Sequence, residues 1–431
     1  MGALEDTRTF LASLFDAAVR AADPATVIEA NLPPRPRGRT IIVGAGKGAA
    51  QMARAFEKRW DGPLSGAVVT RYGFGVPCER IDVLEAAHPI PDQNGMVASR
   101  RLLSEVSGLT ADDLVVSLVC GGGSALLPAP PGDLTLEDEI AVNRALLASG
   151  APIRAMNAVR KHVSSIKGGR LAAAAYPARV VSLVVSDIPG DDPAVVSSGP
   201  TIADGTTQAD ALRVIERYGL SLPDRVMRWI VSDAASAPRP DDPVFARNEV
   251  RLIASASVSL QAAAARARAG GIEAVILSDA IEGEAREVAR VHAAIAREVA
   301  TRDQPFTRPV VILSGGETTV TLKSNGKGGR NSEFLLALAL DLEGIEAVAA
   351  LAADTDGIDG SEDNAGAFAD GQTIPRLRQL GMDGAEHLHR NDSWTAFDAL
   401  SDLFIPGPTG TNVNDFRAIL VGSPGAGFQQ D

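Results

Sequence analysis

Short apolar runs alternate with alanine-rich helical stretches along this chain. The runs Thr40–Val43, Gly66–Thr70, Leu114–Val119, Val180–Val185, Leu252–Ala254, Ala274–Leu277, Val310–Leu313, Val348–Ala352 and Ala418–Leu420 predict strands. Most are unbroken apolar segments, as strands covered on both faces must be, and helical stretches separate many of them. That pattern is α/β with largely parallel sheets. Between Ser232 and Pro243 proline, acidic and small residues crowd together without periodicity, so the domain boundary is expected near residue 240, giving domains 1–240 and 241–431. The opening segment, Met1 to Arg20, carries Glu5, Asp6, Arg8 and Asp16 among its apolar residues and reads as an amphipathic helix rather than a signal peptide.

Composition narrows the class. A chain of 431 residues exceeds one ordinary core, in keeping with two domains. With only 4% aromatic residues, alanine, valine and leucine must supply most of the packing. A formal charge of -13 argues against nucleic acid or an acidic membrane as partner, while a small anion remains acceptable where local cations gather. Cys78 and Cys120 are too few for a disulfide framework and lack metal-ligand spacing. No apolar run approaches the roughly 18 residues of a membrane span. A cytoplasmic, soluble protein is expected.

Candidate chemistry gathers at the strand ends, where open α/β sheets bind ligands. The first strand runs into Gly44-Ala45-Gly46-Lys47-Gly48, a glycine loop before a helical segment, where backbone amides and a helix N-terminus can hold an anion beside the Lys47 charge. Other glycine-rich turns are Gly121-Gly122-Gly123-Ser124 and Ser314-Gly315-Gly316-Glu317. Two turns are acidic: Asp187, Asp191 and Asp192 in one, Asp354, Asp356 and Asp359 in the other. Each acidic turn reads either as solvated carboxylates or as magnesium ligands, since magnesium takes one or two carboxylates together with substrate phosphates. The segment from Asn157 through Arg160, Lys161 and Lys167 to Arg170 reads as a solvated helix face or as a face turned toward an anion. Arg330 precedes a helix over Phe334–Leu340. His88 and His162 are expected to be structural.

The first loop fits two chemistries. Its glycines match the dinucleotide pattern G-x-G-x-x-A, with Arg71 placed to meet a 2′-phosphate, which keeps an NAD(P)H-dependent reductase open. Gly48 stands where a P-loop needs serine or threonine. Phosphoryl transfer would use the lysine loop, the arginine loop and both acidic turns.

The motifs Val43-Gly-Ala-Gly-Lys47-Gly, Cys120-Gly-Gly-Gly-Ser124, Asn157-Ala-Val-Arg160-Lys161-His, Ser186-Asp187-Ile-Pro-Gly-Asp191-Asp, Ser198-Gly-Pro-Thr201, Ser314-Gly315-Gly316-Glu317, Gly328-Gly-Arg330-Asn331, Asp354-Thr-Asp-Gly-Ile-Asp-Gly360 and Gly410-Thr-Asn-Val-Asn-Asp415 span nearly the whole chain. In these the chain resembles the glycerate 2-kinase family with a C-terminal MOFRL domain. The resemblance implies ATP- and Mg2+-dependent phosphorylation of D-glycerate to 2-phosphoglycerate. It also implies a Rossmann-like N-terminal three-layer sandwich, an α/β MOFRL domain and an active site in the cleft between them. Family practice makes Lys47 and Arg330 catalytic. Cys120 departs from the family's usual serine or threonine, and some relatives bear the name hydroxypyruvate reductase. On this basis Asp191 is expected to orient the substrate hydroxyl, and Asp187 and Asp354 to hold the metal. Gly44, Gly46, Gly48, Gly121, Gly122, Gly123, Ser124, Asn157, Arg160, Lys161, Gly315, Gly316, Glu317 and Asn331 are expected to bind substrate or nucleotide. The pattern leaves room for a homo-oligomer.

Overall fold

The computed structural model describes residues 2–188 and 190–422. The chain divides into two compact units, Pro24–Ile253 and a second that joins the segment ending at Asp23 to the chain from Ala254 onward. The division therefore follows Ile253 rather than residue 240, and the first helix, Gly2–Ala21, belongs with the later residues. The reason is apolar: Phe10, Leu11, Leu14, Phe15 and Ala18 share a core with Leu260, Ala263, Ala264 and Ala267.

The unit Pro24–Ile253 is built on strands β1 (Thr40–Ala45), β2 (Ser65–Arg71), β3 (Asp82–Ala86), β4 (Leu114–Val119), β5 (Arg179–Val185) and β6 (Glu249–Ala254). Their order is β3-β2-β1-β4-β5-β6, that of a doubly wound sheet. The pairs β1–β2, β2–β3, β1–β4 and β4–β5 are all parallel. Every residue of β1 and β4 is buried, which explains their uninterrupted apolar sequence. On one face Ile41, Val43, Val69, Val115 and Val180 pack with Ala98, Leu102 and Leu171 from helices. Strand order reverses between β1 and β4, so the loops after these two strands part at one point and leave a crevice mouth.

The second sheet has strands β7 (Glu273–Glu284), β8 (Val310–Thr319), β9 (Val348–Asp354), β10 (Gly366–Asp370), β11 (Leu403–Phe404) and β12 (Asp415–Val421), in the order β11-β10-β9-β12-β8-β7. Only β7–β8 pair in parallel; β8–β12, β12–β9, β9–β10 and β10–β11 are antiparallel. Largely parallel pairing thus describes the first sheet and not the second. β9 and β10 are joined without a crossover helix, which favours antiparallel neighbours, and β12 returns between β8 and β9. Alternate residues of β8 face opposite layers. Val310 and Ile312 meet helices Ala285–Arg302 and Arg330–Asp341, whereas Val311 and Leu313 meet Gly2–Ala21 and Ala256–Ala269. Among the described residues no helix is long and apolar enough to cross a membrane.

Candidate active site

Three successive amides of the loop after β1 are bonded within the fold. Gly46 N–H donates to Val69 O at 3.1 Å, Lys47 N–H to Gly121 O at 2.8 Å, and Gly48 N–H to Cys120 Sγ at 3.2 Å. Thr70 Oγ1 donates to Lys47 O at 2.9 Å. The expected amide cradle at Gly46 and Gly48 is therefore not formed, and Gly44 is a residue of β1, where a Cβ would come 2.4 Å from Leu118 O. The glycines let β1 and β4 approach, and the bonds fix the Lys47 backbone. Among the described residues no carboxylate forms an ion pair with the Lys47 ammonium within 4.0 Å.

What surrounds Lys47 comes from β3, β4 and β5. Gly122, with φ +83, lies beneath it: a Cβ there would meet Lys47 Cγ at 3.1 Å and His88 Nε2 at 3.3 Å. His88 is thus a neighbour of Lys47. Burial, with the Lys47 and Arg71 charges adding, holds its imidazole down to about 4 and hence neutral. The Asp187 carboxylate covers Gly121, where a Cβ would fall 1.6 Å from Asp187 Oδ2. Lys47, Gly121, Gly122, His88 and Asp187 therefore converge at the reversal of strand order. Burial pushes the Cys120 thiol up to about 12, so it acts as a neutral acceptor for the loop.

Behind them stands a hydroxyl network. Gly123 N–H donates to Ser197 Oγ at 3.0 Å, and Ser197 Oγ donates to Cys120 O at 2.6 Å. Ser124 Oγ and Ser198 Oγ are 2.7 Å apart, and Ser198 Oγ donates to Asn157 Oδ1 at 2.9 Å. Ser197 and Ser198 have φ of 54 and 60, a conformation that costs a non-glycine residue about 1–3 kcal/mol and that these bonds hold in place. Sequence reasoning gave them no role; the one signal was the Ser198-Gly-Pro-Thr201 motif.

The basic segment does not form one continuous helix face. Helix Ile153–His162 ends before Ser164 and Lys167, so they do not continue its face. Lys161 pairs with Asp204 and Lys167 with Glu139, and both lysines are buried. Lys161 is consequently part of the scaffold. Asn157, also buried, donates to Val195 O at 2.9 Å. Arg160 reaches Asn143 Oδ1 at 2.9 Å and Asn157 Oδ1 at 3.3 Å, and burial lowers its guanidinium to about 10. His162 Nδ1 contacts Ala158 O at 2.6 Å, a structural role. In the acidic turn Asp192 pairs with Arg154 at 2.6 Å, Asp191 has φ 52, and Pro189 lies outside the described residues.

In the second unit Arg330 is the first residue of its helix. Its Nε donates to Asp415 Oδ1 at 2.7 Å and its Nη2 pairs with Asp354, while its side chain is 22% exposed. Asp354 is thus a counter-ion of Arg330 rather than an open metal ligand. Burial pushes its carboxyl well above the usual range against the pull of Arg330. The helix N-terminus is closed by Asp359, which accepts from Asn331 N at 2.9 Å and Ser332 N at 2.8 Å. Those two amides are therefore already satisfied within the fold. Asn331, fully buried, donates to Asp415 Oδ1 at 2.8 Å and is likewise scaffold. Gly315 and Gly316 are strand residues of β8, not a turn. At Gly316 φ is +123 and a Cβ would meet Ile281 N and O at 2.3 Å, so glycine there serves the contact between β8 and β7. Glu317, exposed on the same strand, adds its field at Arg330.

The model of DUF4147, a domain of unknown function, matches residues 10–231, and that of the MOFRL family matches residues 310–415. A relative from Agrobacterium vitis, provisionally named a hydroxypyruvate reductase, is 52% identical over 418 residues, covering 96% of this chain and 94% of its own. The D-glycerate 2-kinase of Thermotoga maritima is 40% identical over 405 residues, covering 94% of this chain and 95% of its own. The crystal structure of a Thermotoga maritima glycerate kinase superposes with a TM-score of 0.89 at 38% identity, covering 97% of this chain and 100% of that one.

Proposed function

The chain belongs to the glycerate 2-kinase family, and on that premise we propose that it transfers the γ-phosphoryl group of ATP to the 2-hydroxyl of D-glycerate, giving 2-phosphoglycerate and ADP. The observation that carries this reading is the near full-length likeness to the Thermotoga D-glycerate 2-kinase. Phosphoryl transfer asks little covalent chemistry of a protein: it needs alignment, and cations where charge spreads over the transferred group. Lys47, in no ion pair among the described residues, and Arg330, held by Asp354 and Asp415, are the cations we assign to that group. Asp191 is assigned to the substrate hydroxyl. Gly121, Gly122 and Arg160 are assigned to the anionic ends of the reactants.

Among the described residues no three acidic, histidine or cysteine side chains form a metal cage. Magnesium is usually carried by phosphate oxygens with one or two carboxylates, so Asp187, lying over Gly121, fits an ion that arrives with the nucleotide. Asp354, committed to Arg330, fits less well. When bound, the ion would neutralise phosphate charge. A cytoplasmic setting accords with the two free cysteines.

The test is ADP formation that requires added D-glycerate, with product accepted by enolase. ADP formation that is absent, or indifferent to D-glycerate, would sink the proposal. The name of the Agrobacterium relative favours a second reading, NAD(P)H-dependent reduction of hydroxypyruvate. Against it, the Gly46, Lys47 and Gly48 amides that a pyrophosphate would call on are already bonded. Loss of NADH or NADPH absorbance on adding hydroxypyruvate decides between the two.

A further inference from the structure

Arg417 is a costly residue to keep where it stands. It lies on β12 two positions beyond Asp415 and is wholly buried. Its Nη2 donates to Asp415 and, at 3.0 Å, to Thr318 Oγ1, and its guanidinium carbon lies 5.1 Å from the centre of the Phe334 ring. Among the described residues Nε and Nη1 have no hydrogen-bond partner. An apolar side chain of similar volume is often no worse than a buried ion pair, so stability alone is a poor reason for this arginine.

The partner it holds supplies a better reason. Asp415 divides its oxygens between two tasks. Oδ1 accepts from Arg330 Nε at 2.7 Å and from Asn331 Nδ2 at 2.8 Å. Oδ2 accepts from Arg417 and from Thr318 N at 3.2 Å and Oγ1 at 3.3 Å. With both oxygens engaged, the carboxylate plane is fixed, and with it the direction of the Arg330 Nε–H bond. Without Arg417 one oxygen would lose its charged donor, leaving the carboxylate to turn and Arg330 to follow. Arg417 also sets a second cation against the acids clustered here, so Arg330 is not outnumbered as heavily.

We propose that Arg417 is a positioning residue for Arg330, acting through Asp415. The inference rests on the assignment of Arg330 to phosphoryl transfer.

The test uses the full chain, with Arg417→Met, Arg417→Lys and Thr318→Val, and folding followed by circular dichroism. Arg417→Met is expected to lower kcat for ADP formation by about 10- to 100-fold, as loss of an outer partner of a functional group does. KM for D-glycerate should stay within about twofold, Arg417→Lys should recover part of the loss, and in an Arg330→Ala background the change should shrink below about twofold. The second readout is independent of activity: in 15N-arginine-labelled protein the Arg330 Nε–H signal, identified by its absence in Arg330→Ala, should lose its slow solvent exchange in Arg417→Met. Should Arg417→Met fail to fold, Thr318→Val carries both measurements, with smaller effects in the same direction. Unchanged kcat with an equally protected Arg330 signal overturns the proposal. If Arg330→Ala itself keeps normal kcat, the catalytic assignment falls, while the exchange measurement still decides whether Arg417 holds Arg330.

Discussion

Replacing Gly121 by alanine adds one carbon at the point where it displaces Asp187. The new Cβ would lie 1.6 Å from Asp187 Oδ2, against 3.4 Å for ordinary contact, so the carboxylate must retreat by about 2 Å. Gly121 is not among the positive-φ glycines, so alanine is conformationally acceptable there. Overpacking costs about 1–3 kcal/mol, and reduced freedom of the unfolded chain returns about 0.4–1 kcal/mol, which leaves the protein folded. Function should suffer more. A misplacement of about 1 Å in a reacting assembly can cost about 100-fold, so kcat for ADP formation should fall by about 100-fold or more, with a raised magnesium requirement. The assay is steady-state ADP formation across a magnesium titration, paired with a thermal melt and with Asp187→Asn as comparator. If Gly121→Ala keeps kcat within about threefold while Asp187→Asn abolishes it, the carboxylate works from another position and the reasoning fails.

Lys47→Met, which keeps the aliphatic stem, should lower kcat by about 100- to 1,000-fold with little change in KM for D-glycerate; near-normal turnover would remove Lys47 from the mechanism. Burial lowers His292 to about 4, and its ring Nδ1 and Nε2 contact Val288 O and Ser314 Oγ. Because the unfolded chain takes up this proton first, the contribution is complete above about 6.5 and is lost as pH falls from there toward 4, a change of about 3 kcal/mol. Urea unfolding over that interval should show the slope, and His292→Gln should flatten it. Gly316→Ala should destabilise the second unit by about 2–5 kcal/mol through strain at positive φ and collision with Ile281, seen as a lower urea midpoint. An unshifted midpoint would mean that β7 yields at no cost.

The nine apolar runs all coincide with strands, because a strand covered on both faces leaves an unbroken hydrophobic trace. β3 and β10 left no such trace. β3 carries Asp82 and Glu85 at a sheet edge, and β10 is Gly-Ala-Phe-Ala-Asp, without a β-branched residue. Antiparallel insertion of β12 is a long-range event that no local pattern announces. At the site, the residue types were readable but their commitments were not. Whether Lys161 faces solvent, a ligand or Asp204 depends on a loop 43 residues away. The amides at Gly46 to Gly48 look available in sequence because their acceptors, Val69 on β2 and Cys120 and Gly121 in the turn after β4, lie far along the chain. That His88 adjoins Lys47 is likewise hidden in the sequence, where the two are far apart.

The first helix also has a history during synthesis. Phe10, Leu11, Leu14 and Phe15 emerge from the ribosome well before the surface that covers them, which begins with the helix Ala256–Ala269. About 230 residues are made in between, roughly 10–50 s at ordinary elongation rates. Throughout that interval the nascent chain carries an apolar helix with no native partner, while the unit Pro24–Ile253 can already collapse. Any holdase that protects this protein should therefore find its target in that helix, and should let go only when the residues from Leu260 onward have been made.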